Sequence, residues 1–107
     1  MDRFTIDLAG PVYGIDHGGQ GRPVVLVHGL GGSHHNWNAL VPHIAHLGHV
    51  YALDLSGFGR TPPARRGSSV DANQQLVNDF IGHLDDGPVV LVGNSMGGMI
   101  SLMQAAR

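Results

Sequence analysis

The sequence predicts an α/β fold: a mostly parallel sheet that begins with an antiparallel N-terminal hairpin and carries helices on both faces. Three observations predict it. Residues 24–27, 50–53 and 89–92 are unbroken apolar runs, rich in Val and Leu, of the kind that form strands covered on both faces. Between and after these runs, apolar residues recur every three or four positions, the spacing of a one-sided helix. Seventeen of the 107 residues are Gly, and many of them fall at the ends of the apolar runs, where turns belong.

Each element follows in chain order. Phe4, Ile6 and Leu8 alternate with Thr5 and Asp7, and Gly10-Pro11 separates residues 4–9 from residues 12–16, so residues 1–22 read as a half-exposed hairpin. Residues 23–107 form the remaining core. After the first buried run, Trp37, Leu40, Val41, Ile44 and Leu47 share one helix face, with Pro42 kinking the helix or starting its second part and Gly48 capping it. After the second run, Leu76, Val77, Phe80, Ile81 and Leu84 make another stripe, preceded by a Ser68/Asp71 capping box. After the third, Met99, Ile100, Leu102, Met103 and Ala106 continue as a last helix, in which Met96, Met99 and Met103 are core packing rather than a ligand surface.

Composition removes several classes of function. Six basic residues, all Arg, stand against eight acidic ones, which leaves no polybasic surface for nucleic acid or anionic membrane. There is no Cys, hence no disulfide framework, thiolate nucleophile or cysteine metal site. Charges interrupt the first seven residues, unlike the core of a signal peptide, and no apolar run approaches the roughly 20 residues of a membrane span. A cytoplasmic setting is the default expectation. His43, His46 and His49 are spaced by three, but Gly48 separates the last from the others and solvated histidines are the preferred reading, so no metal is expected. The stretch from Gly29 to His34 fails the dinucleotide fingerprint at its last position, and Gly93 to Gly98 continues into Met99-Ile100 where a P-loop needs Lys and Ser or Thr. No cofactor is expected.

Gly93-Asn94-Ser95-Met96-Gly97 carries the chemistry. The pattern G-x-S-x-G alone is weak in so glycine-rich a chain, with roughly 0.15 chance matches expected. Here it lies directly after a buried-type strand and directly before a helix, where a Ser is lifted onto a sharp turn beside the amides and positive dipole of a helix N-terminus. His28-Gly29-Leu30-Gly31-Gly32-Ser33 ends the first buried run and suits a loop that brings backbone N–H groups to a ligand; it equally suits a packed turn with a structural His28. Asp54-Leu55-Ser56-Gly57-Phe58-Gly59-Arg60-Thr61 reads as a turn whose Asp caps backbone amides.

Together these three stretches resemble the N-terminal half of the α/β-hydrolase family, in its serine-nucleophile esterase and lipase-like branch, and the resemblance covers essentially the whole chain. It implies a truncated α/β-hydrolase fold with Ser95 as nucleophile, the backbone N–H groups of Leu30 and Met96 as oxyanion hole, and His28, Gly29, Gly93 and Gly97 supporting the loops. His28 is not implied to be the general base. A Ser at the elbow disfavours the Asp-nucleophile members, leaving esters, lactones, thioesters or carbon–carbon cleavage as small-molecule acyl chemistry. The elbow looks like that of the carbon–carbon hydrolases, whose oxyanion loop is usually richer in Gly, so the subfamily stays open.

A serine needs a base, and the base an orienting acid. In that family both follow the serine, yet no Asp, Glu or His follows Ser95 here. The chain is therefore expected to be the N-terminal part of a longer serine hydrolase and inactive alone; a non-catalytic interaction module is the competing class. The strand ending at Val92 would lack a neighbour, so poor stability or self-association through an open sheet edge is expected.

Overall fold

The computed structural model describes residues 1–84 and 87–106. The alternating N-terminal stretch forms strand β1 (Asp2–Asp7), which turns through Ala9 and Gly10 into the antiparallel β2 (Pro11–Gly18). The three apolar runs become β3 (Pro23–Val27), β4 (His49–Leu53) and β5 (Val90–Gly93). All five strands share one mixed sheet in the order β1-β2-β4-β3-β5, with β2 antiparallel to β4 and β3 parallel to both β4 and β5. The expected α/β sheet with its antiparallel hairpin is therefore present.

Side chains along β3 alternate between two cores, as the pleat requires. Val25 and Val27 join Val12, Leu53, Leu76, Val77, Phe80 and Ile100 on one face, beneath helices α2 (Val70–Leu84) and α3 (Met96–Ala105). Val24 and Leu26 join Trp37, Val41, Val50 and Ala52 on the other, beneath α1 (Val41–Ile44). Every residue of β3 is buried, which explains a run with no polar member.

Four details depart from expectation. The first helical stretch is broken into a 3-10 turn (His34–Trp37), the short α1 and a second 3-10 turn (Ala45–Leu47). Pro42 sits in the first turn of α1, where its missing N–H is no loss. The tighter 3-10 winding rotates Leu47 off the shared face, leaving it 62% exposed. Gly48 is extended (φ 170°) rather than left-handed; a Cβ there would collide with Arg22 O. The α2 cap comes one residue later than the Ser68/Asp71 box, because Val70 is the first helical residue and Ser69 Oγ accepts from Ala72 N at 3.0 Å. Finally, β5 is not covered on both faces: it ends the sheet, Val90 is 40% exposed, and in α3 only Gly97, Ile100 and Ser101 are buried while Met99 and Leu102 face outward. Asp85, Asp86 and Arg107 lie outside the described residues.

Arg66 ties the hairpin to the loop after β4. Its guanidinium donates to the carbonyls of Leu8, Gly10, Pro11 and Pro62 at 2.7–2.9 Å, and its Nε to Ser56 Oγ at 3.1 Å. Ser56 N in turn donates to Asn73 Oδ1 of α2 at 2.7 Å.

Candidate active site

From β3 the chain crosses one face of the sheet to β4, and from β4 it returns over the opposite face to β5, so β3 and β5 are neighbours whose following segments leave to opposite sides. Such a divergence opens a crevice at the carboxyl ends of the two strands. The residues at that end are His28-Gly29-Leu30 after β3 and Asn94-Ser95 after β5. The two loops touch: a Cβ at Gly29 would lie 3.1 Å from Ser95 Cβ and 3.0 Å from Asn94 O.

Ser95 is exposed and its backbone is strained, with φ 58° and ψ −121°. A non-glycine residue holds such angles only where its surroundings impose them, at about 1–3 kcal/mol. Here the turn is fixed on both sides. Asn94 N donates to Val27 O at 3.2 Å, Gly97 N to Asn94 O at 2.9 Å, and Ser95 O receives Gly98 N at 2.9 Å and Met99 N at 3.2 Å. Gly97 must be glycine because a Cβ would be driven into Val27 O and His28 O; one at Gly93 would strike the Gly97 backbone. The strand-to-helix bend expected at Ser95 is therefore present, with the N-terminus of α3 starting at Met96. Among the described residues, no acceptor engages the N–H of Met96 or of Leu30, and no side chain hydrogen-bonds Ser95 Oγ.

His28 is completely buried and joins two loops. Leu55 N donates to its Nε2 at 2.9 Å, so Nε2 carries the lone pair and the proton sits on Nδ1, which donates to Gly29 O at 2.7 Å. Burial pushes this imidazole below its ordinary value, outweighing the opposing pull of the Gly29 carbonyl and Asp54. Both ring nitrogens are thereby committed. Gly29 O also receives Gly32 N at 3.0 Å. Because the peptide unit is planar and trans, holding the Gly29 carbonyl holds the Leu30 N–H pointing the opposite way.

Asp54 caps backbone amides as expected, accepting from His34 N at 2.6 Å and Arg60 N at 2.9 Å. It also pairs with His34 Nδ1 at 2.8 Å, an interaction between residues twenty apart that sequence reasoning missed. The histidines read as solvated divide: His43 and His46 are exposed, but His49 is half-buried, bonds Asp16 Oδ1 at 2.7 Å and stacks on Tyr51. The carboxylate that reaches His49 comes from β2, 33 residues away in sequence. Among the described residues, no three His, Cys, Asp or Glu side chains are grouped to hold a metal ion, and no helix is long and apolar enough to cross a membrane.

Comparison with known proteins agrees with this arrangement. A family model described as alpha/beta hydrolase fold matches residues 22–107. The chain is 40% identical over 88 residues to 2-hydroxy-6-oxo-6-(2'-aminophenyl)hexa-2,4-dienoic acid hydrolase of Metapseudomonas resinovorans, covering 78% of this chain and 30% of that protein. It is 36% identical over 83 residues to Lipase LipV of Mycobacterium tuberculosis, covering 78% and 31%. The crystal structure of a bacterial membrane phospholipase A superposes with a TM-score of 0.90 at 29% identity, over 99% of this chain and 35% of that one. The chain thus spans about a third of the length of each of these relatives.

Proposed function

The chain belongs to the alpha/beta hydrolase fold family, and on that premise we propose that it carries the nucleophile and oxyanion hole of a serine hydrolase acting on carboxylic esters or related acyl compounds. One observation carries this reading: Ser95 sits on a strained, exposed bend that meets the Gly29 loop, and among the described residues the N–H groups of Met96 and Leu30 have no acceptor. In this mechanism Ser95 Oγ adds to the acyl carbon and its proton passes to a general base. The resulting oxyanion accepts from the N–H groups of Leu30 and Met96, one aimed by the His28–Gly29 clamp and the other at the positive end of α3. Gly29, Gly93 and Gly97 let the two loops pack closely, and on this reading both donors face one oxygen.

Among the described residues no side chain stands as the base. His28 has both nitrogens bonded, His34 Nδ1 is bonded to Asp54, and no imidazole among the described residues bonds Ser95 Oγ. The acid and imidazole are supplied by the rest of the longer protein. Carbon–carbon hydrolysis is the second reading, favoured by the 40% identity to the Metapseudomonas hydrolase and by the Gly-Asn-Ser-Met-Gly-Gly elbow.

The test uses the full-length protein, an activated ester, a 2-hydroxy-6-oxo-dienoate and a fluorophosphonate. The expected result is ester turnover and phosphonylation at Ser95, both lost in Ser95→Ala, with turnover falling on the order of 10⁶-fold. Dominant turnover of the dienoate would favour the second reading. Neither labelling nor turnover in the full-length protein would replace both with a non-catalytic interaction module.

A further inference from the structure

A small pocket on the α1 face of the hairpin is separate from the Ser95 crevice. It holds about 130 Å³, room for roughly four waters at ~30 Å³ each. Arg3, Tyr13, His17, His34, His35 and Arg60 are among its lining residues. Tyr13 and His17 of β2 both line it, and Arg3 lies opposite Ile15 on β1. His17 is the extra residue of a β-bulge, since Asp16 pairs with Tyr51 and Gly18 with Val50. Such a bulge turns a side chain away from the regular pleat.

Two features of the pocket are otherwise unexplained. His17 Nε2 is buried without a hydrogen-bond partner, a state that is unfavourable unless something fills it. Neither Arg3 nor Arg60 forms an ion pair among the described residues. The one buried carboxylate nearby, Asp54, accepts from His34 N, His34 Nδ1 and Arg60 N and forms no ion pair with either guanidinium. Arg60 is already positioned, with its backbone held by Asp54 and its guanidinium 5.4 Å above the Tyr13 ring. That leaves less freedom to lose on binding.

We propose that this pocket binds a small oxyanion, a phosphate or carboxylate group, held by the guanidinium groups of Arg3 and Arg60 with the His17 imidazole as a further donor. Guanidinium forks match the paired oxygens of both anions. Burial first, then the amino terminus and His34, lower the proton affinity of His17 against the pull of Asp16, so the ring would donate to the anion as a neutral imidazole through Nε2–H.

The test is a titration of the full-length protein, labelled with ¹³C at histidine, with inorganic phosphate, acetate or chloride at matched ionic strength. The His17 ring signals are identified by their loss in His17→Gln. Phosphate or acetate should move them saturably and chloride should not. Arg3→Gln and Arg60→Gln should each weaken binding about tenfold, while Arg22→Gln, outside the pocket, should leave it unchanged. Equal displacement by chloride, shifts that never saturate, or unaltered binding in Arg60→Gln would overturn the assignment.

Discussion

The Ser95 bend depends on its neighbours, and His28 is the side chain most tightly built into them. Replacing His28 with Phe keeps a ring against Phe58 but leaves Leu55 N–H without a partner and Gly29 O with Gly32 N alone. An orphaned buried group costs about 1–3 kcal/mol, so urea unfolding of His28→Phe should show a loss in that range. On the proposed function, the same change in the full-length protein should lower kcat more than it raises KM, because a loosened Leu30 amide would matter most once an oxyanion had formed. Acid should act on the same residue. Unfolded, the imidazole titrates near 6.5, whereas folded it stays neutral to lower pH. As pH falls the unfolded state takes the proton first, so stability should be level above about pH 6.5 and decline below it. His17, lowered in the same direction, adds to that decline. Urea midpoints measured from pH 8 to 5 check this, and a flat profile would contradict it. At this scale the bend at Ser95 was legible because the serine, its flanking glycines and the helix start are contiguous in sequence. The His34–Asp54 and His49–Asp16 pairs were not, since each joins strands or loops brought together only by sheet order.

Among the elements, β5 and α3 are joined by contacts that tolerate no added atoms. Gly97→Ala would push a methyl group into the carbonyls of Val27 and His28, so α3 must move or the strand must bend. The expected outcome is destabilisation of about 3 kcal/mol or more by urea denaturation, together with loss of phosphonate labelling at Ser95 in the full-length protein. Apolar periodicity located α2 well, since Leu76, Val77 and Phe80 pack where the 3.6-residue repeat puts them. It failed for the first helix, where Pro42 and two 3-10 turns change the period partway along, and for α3, whose apolar residues encircle the helix and so name no face. It also overstated β5, because a run of valines says nothing about whether helices will cover both of its faces; the open edge expected there is present.

For the whole molecule, the Cα radius of gyration is 12.3 Å, close to the ~13 Å of a compact chain of this size. Both cores close, yet one edge of the sheet is an apolar strand with Val90, Met99 and Leu102 facing outward near it. The 107-residue chain alone should therefore self-associate, and Val90→Lys should shift it toward monomer in sedimentation velocity, since a charge blunts strand addition. A wild-type chain that sediments as a clean monomer at high concentration would count against this.

The five bonds from the Arg66 side chain bear on how this small protein comes apart. Three of them reach carbonyls within the first eleven residues and two hold the guanidinium to Ser56 and Pro62 in the stretch that follows β4, so the ribbon at the start of the chain is not free to peel away while the parallel strands persist. Amide exchange in β1 and β2 should consequently track that of β3 under mildly destabilising conditions. Lysine, with three donors on a single nitrogen instead of five on a fork, cannot span the same carbonyls. In Arg66→Lys the ribbon should exchange first, turning one concerted opening into two.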